Sequence, residues 1–307
     1  MADYTTATTR RAFVTTGALV ALAGCATAQL DGGGNAGSSG PVSVLAAGSL
    51  QSAFENGLRA AVEERIDVEA YGSTRAARLV KGGQRDPDVL ALADTSLFGT
   101  LLDAPWYAAF ATNAVVLAYN SKTAAGRRVG DADPWYEPLT SGDVRLGRTD
   151  PNLDPLGYRT RFVLELAAAH YDEPALPDEV LGKDQLYPET QLLAGFESGQ
   201  LDAAFVYRSM AVEHGYDYVD LPAAIDLSDP ARASQYASVS ETLSDGTVVH
   251  GGLVEYGALL RTPGSRPARD VFRTMVEDGH RYLDSDGFVV PNHYPRYEGD
   301  VPNVVRG

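Results

Sequence analysis

The chain has 307 residues and a formal charge of −16, from 41 acidic and 25 basic side chains, and only three of the basic ones are lysine (Lys81, Lys122 and Lys183). So acidic and lysine-poor a surface is read as adaptation to concentrated salt, and it excludes phosphate-rich nucleic acid as a natural partner. A small anion is not excluded, because at molar salt the Debye length falls to about 3 Å and only contacts inside a pocket matter.

The first 25 residues read as an export signal. Thr9-Arg10-Arg11-Ala12-Phe13 precedes an apolar run over 14–23 and ends in Leu22-Ala23-Gly24-Cys25. An arginine pair before an apolar stretch is the pattern of a twin-arginine signal. The Leu-Ala-Gly-Cys end resembles a lipobox, whose Cys becomes the lipidated first residue. Cys25 is also the one cysteine of the chain, so it has no partner for an internal disulfide. The alternative, a membrane anchor, needs about 20 apolar residues, and this run is about half that. The mature protein is therefore expected outside the cytoplasmic membrane, lipid-anchored at Cys25. Residues 26–41 are small and polar and read as a flexible spacer.

The folded part is expected to begin at Val42. Residues 42–46 form a short apolar run, followed by Ala47-Gly48-Ser49-Leu50. Leu50, Phe54, Leu58, Ala61 and Val62 then predict a helix over 50–64. A second strand over 68–71 leads through Gly72-Ser73-Thr74 into a helix ending at Lys81, before Gly82-Gly83. A third apolar strand covers 88–93. Strands alternating with helices predict α/β architecture with parallel pairing. Two apolar stretches, 110–119 and 252–260, read as strands crossing between lobes. Between them lie a strand near 144–147, helices over 157–171 and 189–198, and a strand at 202–206. A last helix over 267–284 precedes a tail rich in Tyr and Pro, where Tyr294-Pro295-Arg296-Tyr297 reads as packing rather than a site.

The histidines (His170, His214, His250, His280 and His293) show no metal-ligand spacing. There is no G-x-S-x-G, P-loop or G-x-G-x-x-G motif, so nothing points to an enzyme. What the sequence does offer is oxyanion chemistry. Ser49 and Ser73 each follow a strand and open a helix. A helix start presents unpaired N–H groups and favours an anion, although Ser there also serves as an ordinary N-cap. Asp150-Pro151-Asn152-Leu153-Asp154-Pro155 holds two Asp-Pro pairs before a helix, which reads equally as a rigid turn or as a site. Pro188-Glu189-Thr190 opens another helix, where Glu is commonly a dipole complement.

Taken together these segments resemble the molybdate/tungstate-binding proteins of ABC importers (the ModA/WtpA family, closest to its archaeal branch). The resemblance runs through most of the chain: Ala47-Gly48-Ser49-Leu50, Gly72-Ser73, Trp106-Tyr107, the 113–119 run, Trp135-Tyr136, Glu197-Ser198-Gly199, Tyr207-Arg208-Ser209, His214-Gly215 and Val254-Glu255-Tyr256-Gly257. Asp150-Pro-Asn-Leu-Asp-Pro-Leu-Gly-Tyr-Arg159 is its most specific part. The resemblance implies a hinged two-lobe periplasmic-binding-protein fold (type II), each lobe a mainly parallel sheet flanked by helices, joined by two crossover strands. Lobe I would comprise 42–115 and 240–300, and lobe II 116–239. It implies a monomeric receptor, with no cofactor and no catalytic residues, that delivers tungstate or molybdate to an ABC permease. By position, Ser49, Ser73, Tyr207 and the backbone N–H of Leu156 would bind the oxo groups. Asp154 and Glu189 would ligate the metal directly. The segment between Tyr171 and Glu189 is shorter than in many relatives, and Leu156 stands where many have Cys. Two rival expectations keep the fold: a sulfate or phosphate receptor, for which the two carboxylates would be dispensable, and an extracellular enzyme using Asp154 or Glu189 as general base.

Overall fold

The computed structural model describes residues 40–182 and 185–306. The expected export signal, Cys25 and the spacer up to residue 39 lie outside the described residues. Thirteen strands are described: β1 (Val42–Ala47), β2 (Ile66–Tyr71), β3 (Val89–Leu92), β4 (Trp106–Asn113), β5 (Val115–Tyr119), β6 (Leu146–Thr149), β7 (Leu186–Tyr187), β8 (Ala203–Tyr207), β9 (Asp217–Val219), β10 (Ser240–Thr242), β11 (Val248–His250), β12 (Val254–Leu260) and β13 (Arg296–Gly299).

They form two main sheets and a hairpin. The first sheet has the order β13-β4-β12-β3-β1-β2, the second the order β7-β6-β8-β5-β9, and β10 pairs only with β11. The protein is thus α/β with two lobes, as the sequence predicts. Pairing in each sheet is mixed. The runs read as parallel, β2-β1-β3 and β6-β8, are parallel, and β7, which the sequence reading did not include, joins β6 in the same sense. The strands that carry the chain between lobes, and their neighbours, return antiparallel. The physical reason is connection length: a parallel neighbour needs a helical crossover, whereas a strand entering from the other lobe can pair in either sense.

The expected strand over 110–119 divides at Ala114. Residues to one side belong to β4 and the first sheet, those to the other to β5 and the second. The other connection, 220–253, runs beside it: Val115 N donates to Asp226 O (3.0 Å), and Val254 N to Leu227 O (2.9 Å). Residues 252–260 read as a crossing strand; β12 lies wholly in the first sheet, fed by that connection.

Five helices matter to the site and core. They are α1 (Ser73–Lys81), α2 (Pro155–Tyr171), α3 (Glu189–Glu197), α4 (Arg208–His214) and α5 (Arg266–Glu277). α5 buries Ala268, Val271, Phe272, Met275 and Val276, the spacing of one helical face, and Ser265 caps it by accepting from Ala268 N. It ends at Glu277 rather than at 284, with short turns over Gly279–Arg281 and Asp284–Asp286 beyond. The expected helix over 50–64 is wound differently. A tight turn at Gly48–Leu50 passes into a wide, π-type stretch at Ala53–Leu58. Leu50, Phe54 and Leu58, all fully buried, recur every fourth residue. That repeat is wider than the 3.6 of an α-helix, and the wider winding keeps all three on the core. Among the described residues no helix is long and apolar enough to cross a membrane.

Candidate functional site

Parallel register brings the two serines together. Ala47 of β1 lies opposite Tyr71 of β2, so Ser49 and Ser73, each two residues further on, leave the same sheet end side by side. On the other flank of β1, Ala46 lies opposite Ala91 of β3, which brings Ala93 to that edge too. In an open α/β sheet this carboxyl edge is where ligands bind. Both serines are buried. Ser73 Oγ accepts a hydrogen bond from Ala93 N (2.9 Å), which leaves its own proton to donate. Ser49 Oγ accepts from the Tyr256 hydroxyl (3.1 Å), itself held by Asn113 Nδ2 (3.2 Å). Neither serine caps its helix: the cap positions belong to Ala47 and Gly72.

Across the cleft, the two Asp-Pro pairs do different work. Asp150 builds the turn. Its carboxylate accepts from Asn152 N (2.8 Å) and its carbonyl from Leu153 N and Asp154 N (3.0 Å each). Gly157 lets the first turn of α2 lie against this loop, since a Cβ there would sit 2.4 Å from Pro151 N. Asp154 occupies the N-cap position of α2 but makes no capping bond. It is 1% exposed, and among the described residues neither carboxylate oxygen has a hydrogen-bond partner. Burial raises the carboxyl to about 6. The Thr149 hydroxyl and the Leu156 N–H lie near enough to favour the charge in part, but neither bonds with good geometry. The buried hydroxyls of Thr149 and Thr74 also lack partners among the described residues. A buried carboxylate so poorly paired is costly to fold, which makes Asp154 a candidate site residue.

The two sides touch. Gly72 is packed so closely against the 150–154 loop that a Cβ on it would sit 2.5 Å from Leu153 O and 2.8 Å from Asp154 Cβ. Arg75 N in the first turn of α1 donates to Leu153 O (3.0 Å). Asp154 thus faces the N-terminus that carries Ser73. Leu156 is buried in the first turn of α2. Tyr207 ends β8, fully buried, and its hydroxyl accepts from Arg159 Nη1 (2.8 Å). Glu189 is the first residue of α3, a helix packed against the Ser49 turn and β2; its side chain lies outside the described ones.

Residues 42–277 match the family described as bacterial extracellular solute-binding protein. The chain belongs to that family. A Haloferax volcanii protein provisionally named an ABC transporter molybdenum-binding protein is 53% identical over 299 residues, 95% of each chain. A Pyrococcus abyssi protein named molybdate/tungstate-binding protein WtpA is 32% identical over 272 residues, 78% of each. The fold is shared with the periplasmic molybdate-binding protein of Azotobacter vinelandii (TM-score 0.52, 12% identity, covering 82% of this chain and 100% of that one).

In this member of the family, contacts bring segments of the expected site together: Gly72 lies against Asp154, and Arg159 bonds both Tyr207 and the Ala93 carbonyl, whose residue's N–H donates to Ser73 Oγ. Sequence reading missed Asp94. It follows β3 at the same sheet edge, and its carboxylate accepts from the Tyr158 hydroxyl (2.6 Å). Its place after a third strand of the same parallel set is the signal that points to it. The Tyr294–Tyr297 tail is held on Glu255. Arg296 donates to both oxygens of Glu255 (2.9 and 3.0 Å), and Tyr294 donates to the same group.

Proposed function

We propose that this protein is the receptor of an ABC importer and captures tungstate or molybdate in the cleft between its lobes. The observation that carries this reading is Asp154: a buried carboxylate with no hydrogen-bond partner among the described residues, set against the N-terminus of α1 and near the Thr149 hydroxyl. Facing a dianion, a carboxylate repels it by Coulomb's law. It is useful only as a hard oxygen ligand on the metal itself. Tungsten(VI) and molybdenum(VI) can expand from four to six ligands, and sulfur in sulfate does not. The same group that completes the shell of one anion therefore rejects the other.

In this reading Asp154 and Glu189 ligate the metal, and Ser49, Ser73, Tyr207 and the Leu156 N–H donate to the oxo groups. We take 42–115 with 240–300 as lobe I and 116–239 as lobe II, although by strand membership Val115 already pairs with Tyr207 in the second sheet and β10-β11 stands outside both. Closure completes the ligand shell and opening on the permease releases the anion, with no covalent chemistry. The names of the Haloferax and Pyrococcus relatives support the choice of anion. We further propose that the receptor is a monomer held at the outer face of the membrane by a lipid on Cys25, and that its acidic, lysine-poor surface serves solubility in high salt. The test is substitution: Asp154→Ala and Glu189→Ala should each weaken tungstate binding at least tenfold. Unchanged affinity in both removes the carboxylate-ligand assignment.

A further inference from the structure

Behind the serines, a buried set of hydrogen bonds joins the two lobes. Arg159, on α2 of the second lobe, is 3% exposed. Its Nη1 donates to Ala93 O in the first lobe (2.5 Å) and to the Tyr207 hydroxyl in its own (2.8 Å). Its Nη2 lies 3.5 Å from Asp94 Oδ2 and donates to Leu253 O, on the second connection, at 3.4 Å. The preceding residue, Tyr158, donates to the same Asp94 oxygen at 2.6 Å. The other oxygen of Asp94 accepts from Ser96 N (2.8 Å), which fixes the carboxylate within the first lobe. Two consecutive residues of one lobe thus grip one carboxylate of the other.

We propose that Asp94, Tyr158 and Arg159 form a cross-lobe latch that holds the filled cleft closed, with Arg159 a positioning residue for the Ser73 and Tyr207 hydroxyls. The inference rests on the receptor reading above. The Ala93 peptide links latch to site: its N–H donates to Ser73 Oγ while its C=O receives Arg159. One guanidinium therefore sets the geometry of a hydroxyl in each lobe, and it does so only while the lobes are together. Burial opposes its charge, but Tyr207 and Asp94 outweigh burial and keep it protonated. Burial and Asp94 likewise hold the Tyr158 hydroxyl in its donor form.

The latch is also reversible. When the lobes part, water replaces both donors and the acceptor, so the net gain on closing is small compared with the gross strength of the bonds. A receptor that must reopen needs a closure of this modest kind. The same chemistry explains why Tyr and Arg both belong to the Asp-Pro-Leu-Gly-Tyr-Arg run: they follow, on one helix, the carboxylate that faces the ligand.

The experiment is stopped-flow tungstate binding and release by the wild type, Tyr158→Phe, Asp94→Asn and the double variant. Tyr158→Phe keeps the ring, which packs on Phe162 with centroids 5.7 Å apart, and so keeps the fold. It should raise the dissociation rate about tenfold, the usual worth of a hydrogen bond to a charged group, and leave the association rate within about threefold. Asp94→Asn should do at least as much, and the double variant should match Asp94→Asn because both changes break one contact. Dissociation rates equal to wild type in both single variants overturn the latch. So do effects that multiply in the double variant, which mark independent structural damage. A wild type that fails to bind tungstate fails the ligand assignment instead, and the same rate ratios are then read with whichever of molybdate or sulfate it binds.

Discussion

Removing the charge of Asp154 should make the ligand-free protein more stable while abolishing its function. Burial pushes this carboxyl up to about 6 from an ordinary 3.8. Between those values the folded protein holds a proton that the unfolded chain has released, so stability falls as pH rises through the window and stays low above it. At about 1.4 kcal/mol per pH unit, the ionised carboxylate costs the folded state about 3 kcal/mol at pH 8. Asp154→Asn keeps the shape without the charge. Its amide hydrogens still need partners, which returns about 1 kcal/mol of the gain. The net expectation is a variant about 2 kcal/mol more stable than wild type at pH 8 and nearly equal to it near pH 4. With a urea slope of about 3 kcal/mol per M, the midpoint at pH 8 rises by somewhat under about 1 M, with the slope unchanged. The assay is urea unfolding of both proteins from pH 4 to 8 in high salt, without tungstate, molybdate or sulfate. Equal midpoints at pH 8, or the same pH dependence in both, would refute the reasoning. The carboxylate would then be paired or solvated in the free protein, and its burial would not mark a ligand site.

Other substitutions separate folding from closure. Asp150→Ala should have the opposite sign, losing about 1–2 kcal/mol at neutral pH, because Asp150 holds the turn through Asn152 N; the same urea series reads it. Gly72→Ala puts a methyl 2.5 Å from Leu153 O, so it should weaken tungstate affinity at least tenfold by obstructing closure. Gly72 has φ −54°, which alanine adopts freely, so the thermal midpoint without ligand should shift by less than about 2 °C. The Arg145 guanidinium holds Asp202 down to about 2, so its contribution is present above the ordinary carboxylate range and is lost as pH falls toward 2. Asp202→Asn should cost about 1 kcal/mol at pH 7, limited by the half-exposed Arg145, and should flatten the acid limb of the stability curve.

Much of this architecture was legible because its signals are local. The apolar runs at 42–46 and 88–93 and the helix starts after them rest on periodicity and punctuation, and parallel pairing follows from their alternation. Ser49 and Ser73 were visible because each follows a strand. What local signals do not carry is register across the cleft. Asp150 and Asp154 look alike in sequence, each followed by Pro, yet one builds the turn and the other is buried against Gly72. Only the packing of Gly157 on the loop and of Gly72 on Leu153 separates them. Asp94 was missed for the same reason: its partners, Tyr158 and Arg159, lie 64 and 65 positions away in the other lobe. The break at Ala114 was hidden because 110–119 is apolar but for Thr112 and Asn113, and a buried strand gives no periodic mark where it changes sheets.

The central claim is that a carboxylate selects the anion by reaching its metal. Calorimetric titration of the protein in high salt with tungstate, molybdate and sulfate tests it most directly. The account expects one-to-one binding of the first two and no heat from sulfate. Sulfate binding at comparable strength would contradict it, leaving the receptor fold but removing Asp154 and Glu189 as metal ligands.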